Sequence, residues 1–486
     1  MNVLFTSAEV YPFAKVGGLA DVVGSLPNAL RNIGIDARVI MPGYGFIDHE
    51  KYNISLLFSF TFNHTEGSSE VKIYTTIYQG VPIYFVQVWP YFGDDSEVYT
   101  DWHWDSPRFI FYNQLVLAAA WELKQRLGWF PQVFHVNDWH TALVPFLIAE
   151  NRHLREWSTV ATVLTIHNLA YQGSDLGGWM WKAGIPERNH PDLIYQNLTD
   201  NMLAIGIAYS DIVTTVSSRY AIEIQYPNMG YGLDSMIRTR VADLYGILNG
   251  IDVEKWDPAI DPHIVSNYNV ENFAEKRIAN KHHLQEYVGL PTKEKTPVIG
   301  IVSRLVWQKG FDLAIPALRW LLTSYDVQLV VLGTGEAEVE NAFVQLANDF
   351  SWKAKSLMEY DAAFAQQIYA GCDLFLMPSK FEPCGIGQMM SMRYGSLPVV
   401  RETGGLADTV DNYDNGNGER GTGFVFSWEE PQAIFGTLEW AIQTYENRPD
   451  AWQRMQRNAM SGDFSWTQSA HRYEDLYKRI ADKRGG

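Results

Sequence analysis

Short β-rich runs alternate with longer amphipathic stretches along almost the whole chain, and few folds accept that pattern. Val3–Thr6, Ala37–Met41, Ile83–Val86, Val133–Val136, Thr162–Thr165 and Ile212–Thr215 form a first series. Helical periodicity separates several of them; after the first run, Val22, Val23, Leu26, Leu30 and Ile33 recur at helical spacing. That order predicts a parallel sheet with helices on both faces. Near Asn249-Gly250-Ile251-Asp252 the character changes: turn residues, Trp256-Asp257-Pro258 and Asp261-Pro262 lead into a polar helix, which places a hinge there. A second series follows at Val298–Val302, Leu329–Leu332, Leu374–Met377 and Leu397–Val400. At 486 residues the chain is too long for one core. The reading is an α/β protein of two doubly wound halves, divided between 1–248 and 249 onward. Ligands in such sheets bind beyond the carboxyl ends of the strands, so two facing halves would enclose a cleft.

Polar and glycine-rich residues cluster where those strand ends fall. After the first run comes Lys15-Val16-Gly17-Gly18, at the start of the helix. Adjacent glycines let the backbone approach a ligand, and a helix beginning there aims free N–H groups and its positive dipole end at an anion. Lys15 adds a full positive charge. A tight structural turn with a surface lysine is the other reading of the same residues. Asn137-Asp138-Trp139-His140 follows the run at 133–136, and His167-Asn168 follows Ile166. In the second series the same place is taken by Ser303-Arg304 through Gly310, by Gly333-Thr334-Gly335-Glu336, and by Pro378 through Gln388. A capping or hydrogen-bonding role explains any single one of these residues. Their recurrence at several strand ends points to a shared ligand site.

Charge narrows what that ligand is. Subtracting 56 acidic from 38 basic residues leaves a net charge of −18, which argues against nucleic acid or an acidic membrane surface as the main partner. No apolar run approaches the roughly 18 residues of a membrane span. The first residues read as a strand rather than a signal peptide, so an intracellular protein is expected. Cys372 and Cys384 are too few for a disulfide framework or a thiolate zinc site. The chemistry that would use the strand-end set is sugar transfer from a nucleotide diphosphate. The departing diphosphate gains negative charge, which a metal ion, or fixed cations with backbone N–H groups, can stabilise. The chain has no Asp-x-Asp pair, and His135 and His140 are too far apart for one helical metal-binding face. Arg304, Lys309 and Lys15 are then the candidate cations, with the amides at Gly17-Gly18 and Gly385-Ile386-Gly387. Glu382, just before a glycine-containing helix start, either binds sugar hydroxyls or caps that helix.

The segments KVGGLADVVGSLP, DWHTALVP, TIHNLAYQG, GYGLDSMIRTR, NGIDVEKWDP, SRLVWQKGFDL, LGTGE, PSKFEPCGIGQ and MRYGSLPVVRETGGLADTV resemble, in order and spacing, the bacterial glycogen synthases and plant starch synthases. The resemblance covers nearly the whole chain. It implies two facing Rossmann-like domains of the glycosyltransferase B fold with an interdomain active-site cleft. The acceptor side and catalytic loops would lie in 1–248, the nucleotide-sugar donor site in 249–464, and a C-terminal helix around 465–486 would cross back to the first domain. The implied reaction moves glucose from ADP-glucose, a co-substrate, to the non-reducing end of an α-1,4-glucan (glycogen, starch or malto-oligosaccharide), with retention and with neither metal nor cofactor.

The implied roles fall on matching positions. Lys15, Gly17 and Gly18 resemble the diphosphate contact, and Asp21 belongs to the same loop. His167 is similar to the histidine beside the transferred glucose, with Asp138 and Asn249 lining the glucosyl pocket. Arg304 and Lys309 match the pair that neutralises the diphosphate, and Glu382 matches the glutamate on the glucose hydroxyls. Cys384, Gly385, Ile386 and Gly387 share that glutamate's loop, and Tyr360 falls where an aromatic ring stacks on adenine. Trp102-His103-Trp104, in a polar, Asp-rich loop, and Trp179 are candidates to hold the glucan, because sugar C–H faces pack on aromatic rings. Met390 stands where related transferases carry a second glutamate. Gly387, Gln366 and Ser218-Arg219 also depart from the common pattern, which bears on donor affinity and acceptor preference. A small acceptor, UDP-glucose as donor, and a silent glucan-binding relative are the alternatives. The last would have lost the charged set that this chain keeps. No nucleic-acid or membrane partner is expected, and the expected location is the bacterial cytoplasm, with a plastid as the alternative.

Overall fold

The computed structural model describes residues 1–485. They form two compact units, Met1–Asn249 joined by the chain from Trp466 on, and Gly250–Ser465. Among the described residues no helix is long and apolar enough to cross a membrane.

The first unit carries β1 (Asn2–Thr6), β2 (Asp36–Pro42), β3 (Ser55–His64), β4 (Gly67–Tyr78), β5 (Val81–Val88), β6 (Val133–Asn137), β7 (Ala161–Ile166), β8 (Ile212–Thr215) and β9 (Leu244–Gly246). Their spatial order is β3-β4-β5-β2-β1-β6-β7-β8-β9. From β5 to β9 every neighbouring pair is parallel. The expectation of a wholly parallel sheet fails at one edge, where β3, β4 and β5 run antiparallel. The cause is the length of the connections. Thr65-Glu66 and Gln79-Gly80 leave two residues each, enough for a hairpin and far too few for a crossover. Gln79 and Gly80 both have positive φ, +47° and +78°, the backbone of a tight hairpin turn whose twist matches the strands.

The centre of this sheet is dry. Val3, Leu4 and Phe5 of β1 and Val133, Phe134 and Val136 of β6 are fully buried, as expected of strands covered on both faces. Helix α1 (Gly18–Asn32) buries Leu19, Val22, Val23, Leu26 and Leu30, the face its spacing predicts. The C-terminal helix, expected over 465–486, spans Trp466–Gly485 and packs on α1; Gly486 lies outside the described residues. The Tyr477 hydroxyl of that helix and His135 of β6 lie 2.6 Å apart, and the other ring nitrogen of His135 meets Thr165 of β7, also at 2.6 Å.

The second unit is a sheet of β10 (Val298–Val302), β11 (Gln328–Leu332), β12 (Ala354–Leu357), β13 (Leu374–Met377), β14 (Leu397–Arg401) and β15 (Phe424–Phe426). Its order is β12-β11-β10-β13-β14-β15, parallel throughout. Both sheets reverse direction once. In the first unit the chain leaves β1 for β2 on one side and later adds β6 on the other; in the second it leaves β10 for β11 and later adds β13. Crevices outside the carboxyl ends of β1/β6 and β10/β13 follow from that wiring.

Candidate active site

In the first unit the glycine loop is fastened to the end of β1 by Glu9, which is 4% exposed. Its Oε2 accepts the N–H groups of Val16 at 2.7 Å and Gly17 at 2.8 Å, and its Oε1 accepts the Tyr99 hydroxyl at 2.6 Å. The Gly17 amide, expected to meet phosphate, is therefore taken. Those of Gly18 and Leu19 open the first turn of α1 and have no helical acceptor. A Cβ added at Gly17 or Gly18 would meet no protein atom within 4 Å, and Gly17 has extended backbone. The protein's own packing does not demand glycine here. A side chain would fill only the space in front of the helix N-terminus, which favours the ligand-approach reading over the structural turn. Lys15 is not a free cation: its Nζ lies 2.7 and 2.8 Å from the two carboxylate oxygens of Asp21. This half-exposed pair is worth at most about 1 kcal/mol, little enough for a phosphate to exchange with it.

At the ends of β6 and β7 stand Asp138 and His167. Asp138 has φ +55° and ψ −174°, a backbone region that side-chain-bearing residues rarely hold without other structure enforcing it. Its Oδ1 accepts the His167 N–H at 2.7 Å and the Asn168 N–H at 3.5 Å. Burial pushes the carboxyl up to about 7, against the pull of those two donors. Burial lowers the His167 imidazole to about 3, so it is neutral at physiological pH. Its Nε2 lies 2.9 Å from Oδ1 of Asn137. Asn137 is oriented by Nδ2, which donates to the carbonyls of Thr6 at 3.1 Å and His135 at 3.3 Å. The amide oxygen therefore faces the ring, which puts the proton on Nε2 and leaves a lone pair on Nδ1. A neutral imidazole with a free lone pair tolerates a developing cation beside it and cannot act as a general acid. Asn249 is buried, with an Oδ1 that has no partner among the described residues, an unfilled acceptor of the kind a ligand hydroxyl satisfies.

The Asp138 carboxyl gives a pH prediction. Between its unfolded value of 3.8 and its folded value near 7, the folded chain keeps a proton that the unfolded chain has lost. Stability therefore falls as pH rises through that window and levels off above it, at a cost of roughly 4 kcal/mol by pH 8. Asp138→Asn, which imitates the neutral acid, is expected to melt several degrees above the wild type at pH 8 and together with it near pH 4. Equal melting temperatures at pH 8 would show that burial does not strain this carboxylate.

In the second unit Arg304 follows β10, exposed and without an ion pair among the described residues. Lys309 ends the short turn Trp307–Lys309. Its Nζ lies 2.6 Å from Oε2 of Glu382, which also accepts the Ser379 hydroxyl at 2.9 Å. Glu382 is 7% exposed. The two loops meet because Gly310 has φ +70° and a Cβ there would lie 2.1 Å from the Pro378 carbonyl oxygen. Behind Glu382, a Cβ on Gly404 would sit 1.9 Å from its carbonyl oxygen, and the Gly405 N–H donates to that oxygen at 3.1 Å. The glycines of Gly404-Gly405 thus clamp the loop that presents the carboxylate. Cys384 is buried, Gly385 takes φ +68°, and Ile386 precedes helix Gly387–Arg393. Tyr360 is 83% exposed, just before the Asp361 cap of the next helix.

The loop expected to carry Trp102 and Trp104 is instead the first turn of helix α2 (Trp102–Leu127). Asp101 is its cap, accepting the His103 and Trp104 N–H groups at 2.9 and 3.2 Å, so the Asp-rich run marks a helix start. The Trp102 ring lies tilted against Trp139 at 5.7 Å and the Trp104 ring tilted against Tyr91 at 5.4 Å. Reading the sequence missed Glu9 and gave Asn137 no role. An acid three residues beyond one apolar strand and an amide ending another were the available signals.

Two family models match the chain: "Starch synthase catalytic domain" over residues 2–239 and "Glycosyl transferases group 1" over residues 287–459. A glycogen synthase of Thermotoga maritima is 43% identical over the full length of both chains. One from Streptococcus uberis is 42% identical over 98% of this chain and 99% of its own. Among solved structures, the catalytic domain of starch synthase IV from Arabidopsis thaliana, described as bound to ADP and acarbose, matches with a TM-score of 0.87 and 32% identity, covering 99% of each chain. A sucrose-phosphate synthase from Thermosynechococcus elongatus shares the fold at a TM-score of 0.60 and 14% identity. The two parallel-sheet units, the polar groups at their switch points and full-length relatives above 40% identity agree, and the chain belongs to the glycogen and starch synthase family of glycosyltransferases with the glycosyltransferase B fold.

Proposed function

We propose that the chain transfers glucose from ADP-glucose to the non-reducing end of an α-1,4-glucan, retaining the anomeric configuration and using no metal. The observation that carries this reading is the Lys309–Glu382 pair, 2.6 Å apart, at the switch point that also holds Arg304. A cation for a diphosphate and a carboxylate for sugar hydroxyls stand side by side. In the reaction the bond from glucosyl C1 to the diphosphate oxygen breaks and a bond from C1 to the acceptor 4-oxygen forms. The acceptor proton leaves with the diphosphate, the strongest base that the reaction itself creates. Arg304, Lys309 and the first-turn amides of α1 answer the charge on the leaving group, Glu382 orients the glucose, and neutral His167 tolerates the positive character of C1. The ADP in the starch synthase IV relative supports adenine as the base, and the bacterial relatives support a cytoplasmic location.

The donor is tested by initial rates of glucose incorporation into glycogen from ADP-glucose and from UDP-glucose, with EDTA present. ADP-glucose is expected to be used at least tenfold faster, and EDTA to have no effect. Preference for UDP-glucose, or loss of activity with EDTA that Mg²⁺ restores, would overturn the donor or the metal-free reading respectively.

A further inference from the structure

Two residues before Lys309 and two before Glu382 stand Trp307 and Lys380, and these meet as well. Nζ of Lys380 lies 4.0 Å from the centroid of the Trp307 ring and 2.7 Å from Oδ2 of Asp312. Trp307 opens the short turn that ends at Lys309, and Asp312 lies in the first turn of helix Phe311–Ser324. One ammonium thus reaches from the loop that presents Glu382 to both flanks of the turn that presents Lys309. The Lys380 side chain is 11% exposed against 46% for Asp312, so its charge is largely withdrawn from water, where a cation–π contact is strongest. The indole itself is 57% exposed. The core does not require it; what it covers is the lysine.

The backbone of the Glu382 loop is fixed without that side chain. Arg401, at the end of β14, donates through Nε to the Ser379 carbonyl at 3.0 Å and through a terminal nitrogen to the Lys380 carbonyl. The Lys380 N–H donates to the Gln308 carbonyl at 2.9 Å, and Nε2 of Gln308 donates to the Phe381 carbonyl at 3.2 Å. These bonds join the two loops at Gln308, while the side chain of Lys380 braces the positions on either side of it, Trp307 and Asp312. In the proposed reaction Lys309 turns to the diphosphate and Glu382 to the glucose hydroxyls. Their direct contact would then weaken just when their spacing matters. We infer that Lys380, covered by Trp307, is a positioning residue that keeps Lys309 and Glu382 in register once the donor comes between them. The inference rests on the glucose-transfer reading above.

The test is a double-mutant cycle on glucose transfer to glycogen, with Trp307→Leu, Lys380→Met and the double variant, and with Lys380→Arg as the rescue. Methionine keeps the lysine stem and removes the charge; arginine keeps the charge, the stacking and the pair with Asp312. Lys380→Met is expected to lower kcat about tenfold, short of the roughly 10²-fold that a misplacement of about 1 Å can cost, with the KM for ADP-glucose within about threefold of the wild type. Trp307→Leu should cost about threefold, the double variant no more than Lys380→Met, and Lys380→Arg less than about twofold. A general loss of packing would be neither repaired by arginine nor confined to kcat. Hydrogen exchange without substrate should quicken in Lys380→Met over 303–312 and 378–384 and stay unchanged in the strands of the second unit. Trp307→Leu, at an exposed position, decides the matter by the same readouts if Lys380→Met does not fold. Additive losses in the cycle, an arginine variant as slow as the methionine one, or unchanged exchange in both loops would overturn the assignment. A wild type that transfers no glucose, with exchange in both loops still quickened by Lys380→Met, would count against the proposed reaction and leave the brace in place.

Discussion

Glu382→Gln lowers glucose transfer to glycogen by on the order of 10²–10³-fold, the usual cost of one preorganised electrostatic contact, with a smaller loss of melting temperature than Lys309→Ala, because Lys309 is the less buried partner and keeps an oxygen to donate to. The amide keeps the shape of the carboxylate and can still accept from Ser379, 2.9 Å away in the parent, and from Lys309. It loses the negative charge that pairs with Lys309 and that the proposed reaction uses to bind sugar hydroxyls. The backbone clamp from Gly404 and Gly405 does not depend on the side chain, so the loop should keep its path. The loss is expected in kcat more than in the KM for ADP-glucose, because hydroxyl contacts that tighten as the sugar flattens act on the transition state. Turnover within threefold of the wild type would remove Glu382 from the site.

Lys309→Ala is expected to do comparable damage to the rate, on the order of 10²–10³-fold, and also to weaken ADP binding, since in the proposed reaction the ammonium would face the diphosphate in both substrate and product. This variant carries a second cost. Glu382 would remain buried with its counter-charge gone, and breaking a buried pair from one side costs roughly 3–5 kcal/mol. A lower melting temperature should therefore accompany the lost activity. The double variant Lys309→Ala/Glu382→Gln separates the two effects: neutralising the orphaned carboxylate should restore most of the melting temperature and none of the turnover. Recovery of activity in the double variant, or ADP binding of wild-type strength in Lys309→Ala, would contradict the role assigned to the lysine.

The parallel cores were legible because a strand buried on both faces reads as a continuous apolar run, as β1 and β10 do. The antiparallel edge was legible in part. Phe58, Phe60 and Phe62 alternate along β3, and Gln79-Gly80 is a two-residue turn, yet neither reads as strongly as a run of valines. Arg304, Lys309 and Glu382 could be named from their place after strands. Contact between the last two rests on Gly310 letting two loops touch, a three-dimensional fact with no sequence period. Lys15 and Asp21 were both placed in the glycine loop, but their pairing across six residues, from the loop into the first turn of α1, has no sequence period. Trp102 and Trp104 were misplaced because polar, acidic composition marks a helix cap as readily as a loop. Glu9 and Asn137 act through other residues, so composition gave them no distinguishing mark.

Proton NMR of the protein with ADP-glucose and maltoheptaose is the decisive test of a retaining transfer of glucose from ADP-glucose onto α-1,4-glucan. The anomeric signal of the donor is expected to decline as free ADP appears, and an α-1,4 glucosidic signal to grow in equal amount. Consumption of the donor with release of free glucose, growth of a β-linked signal, or an unchanged donor signal in the presence of folded protein would contradict it.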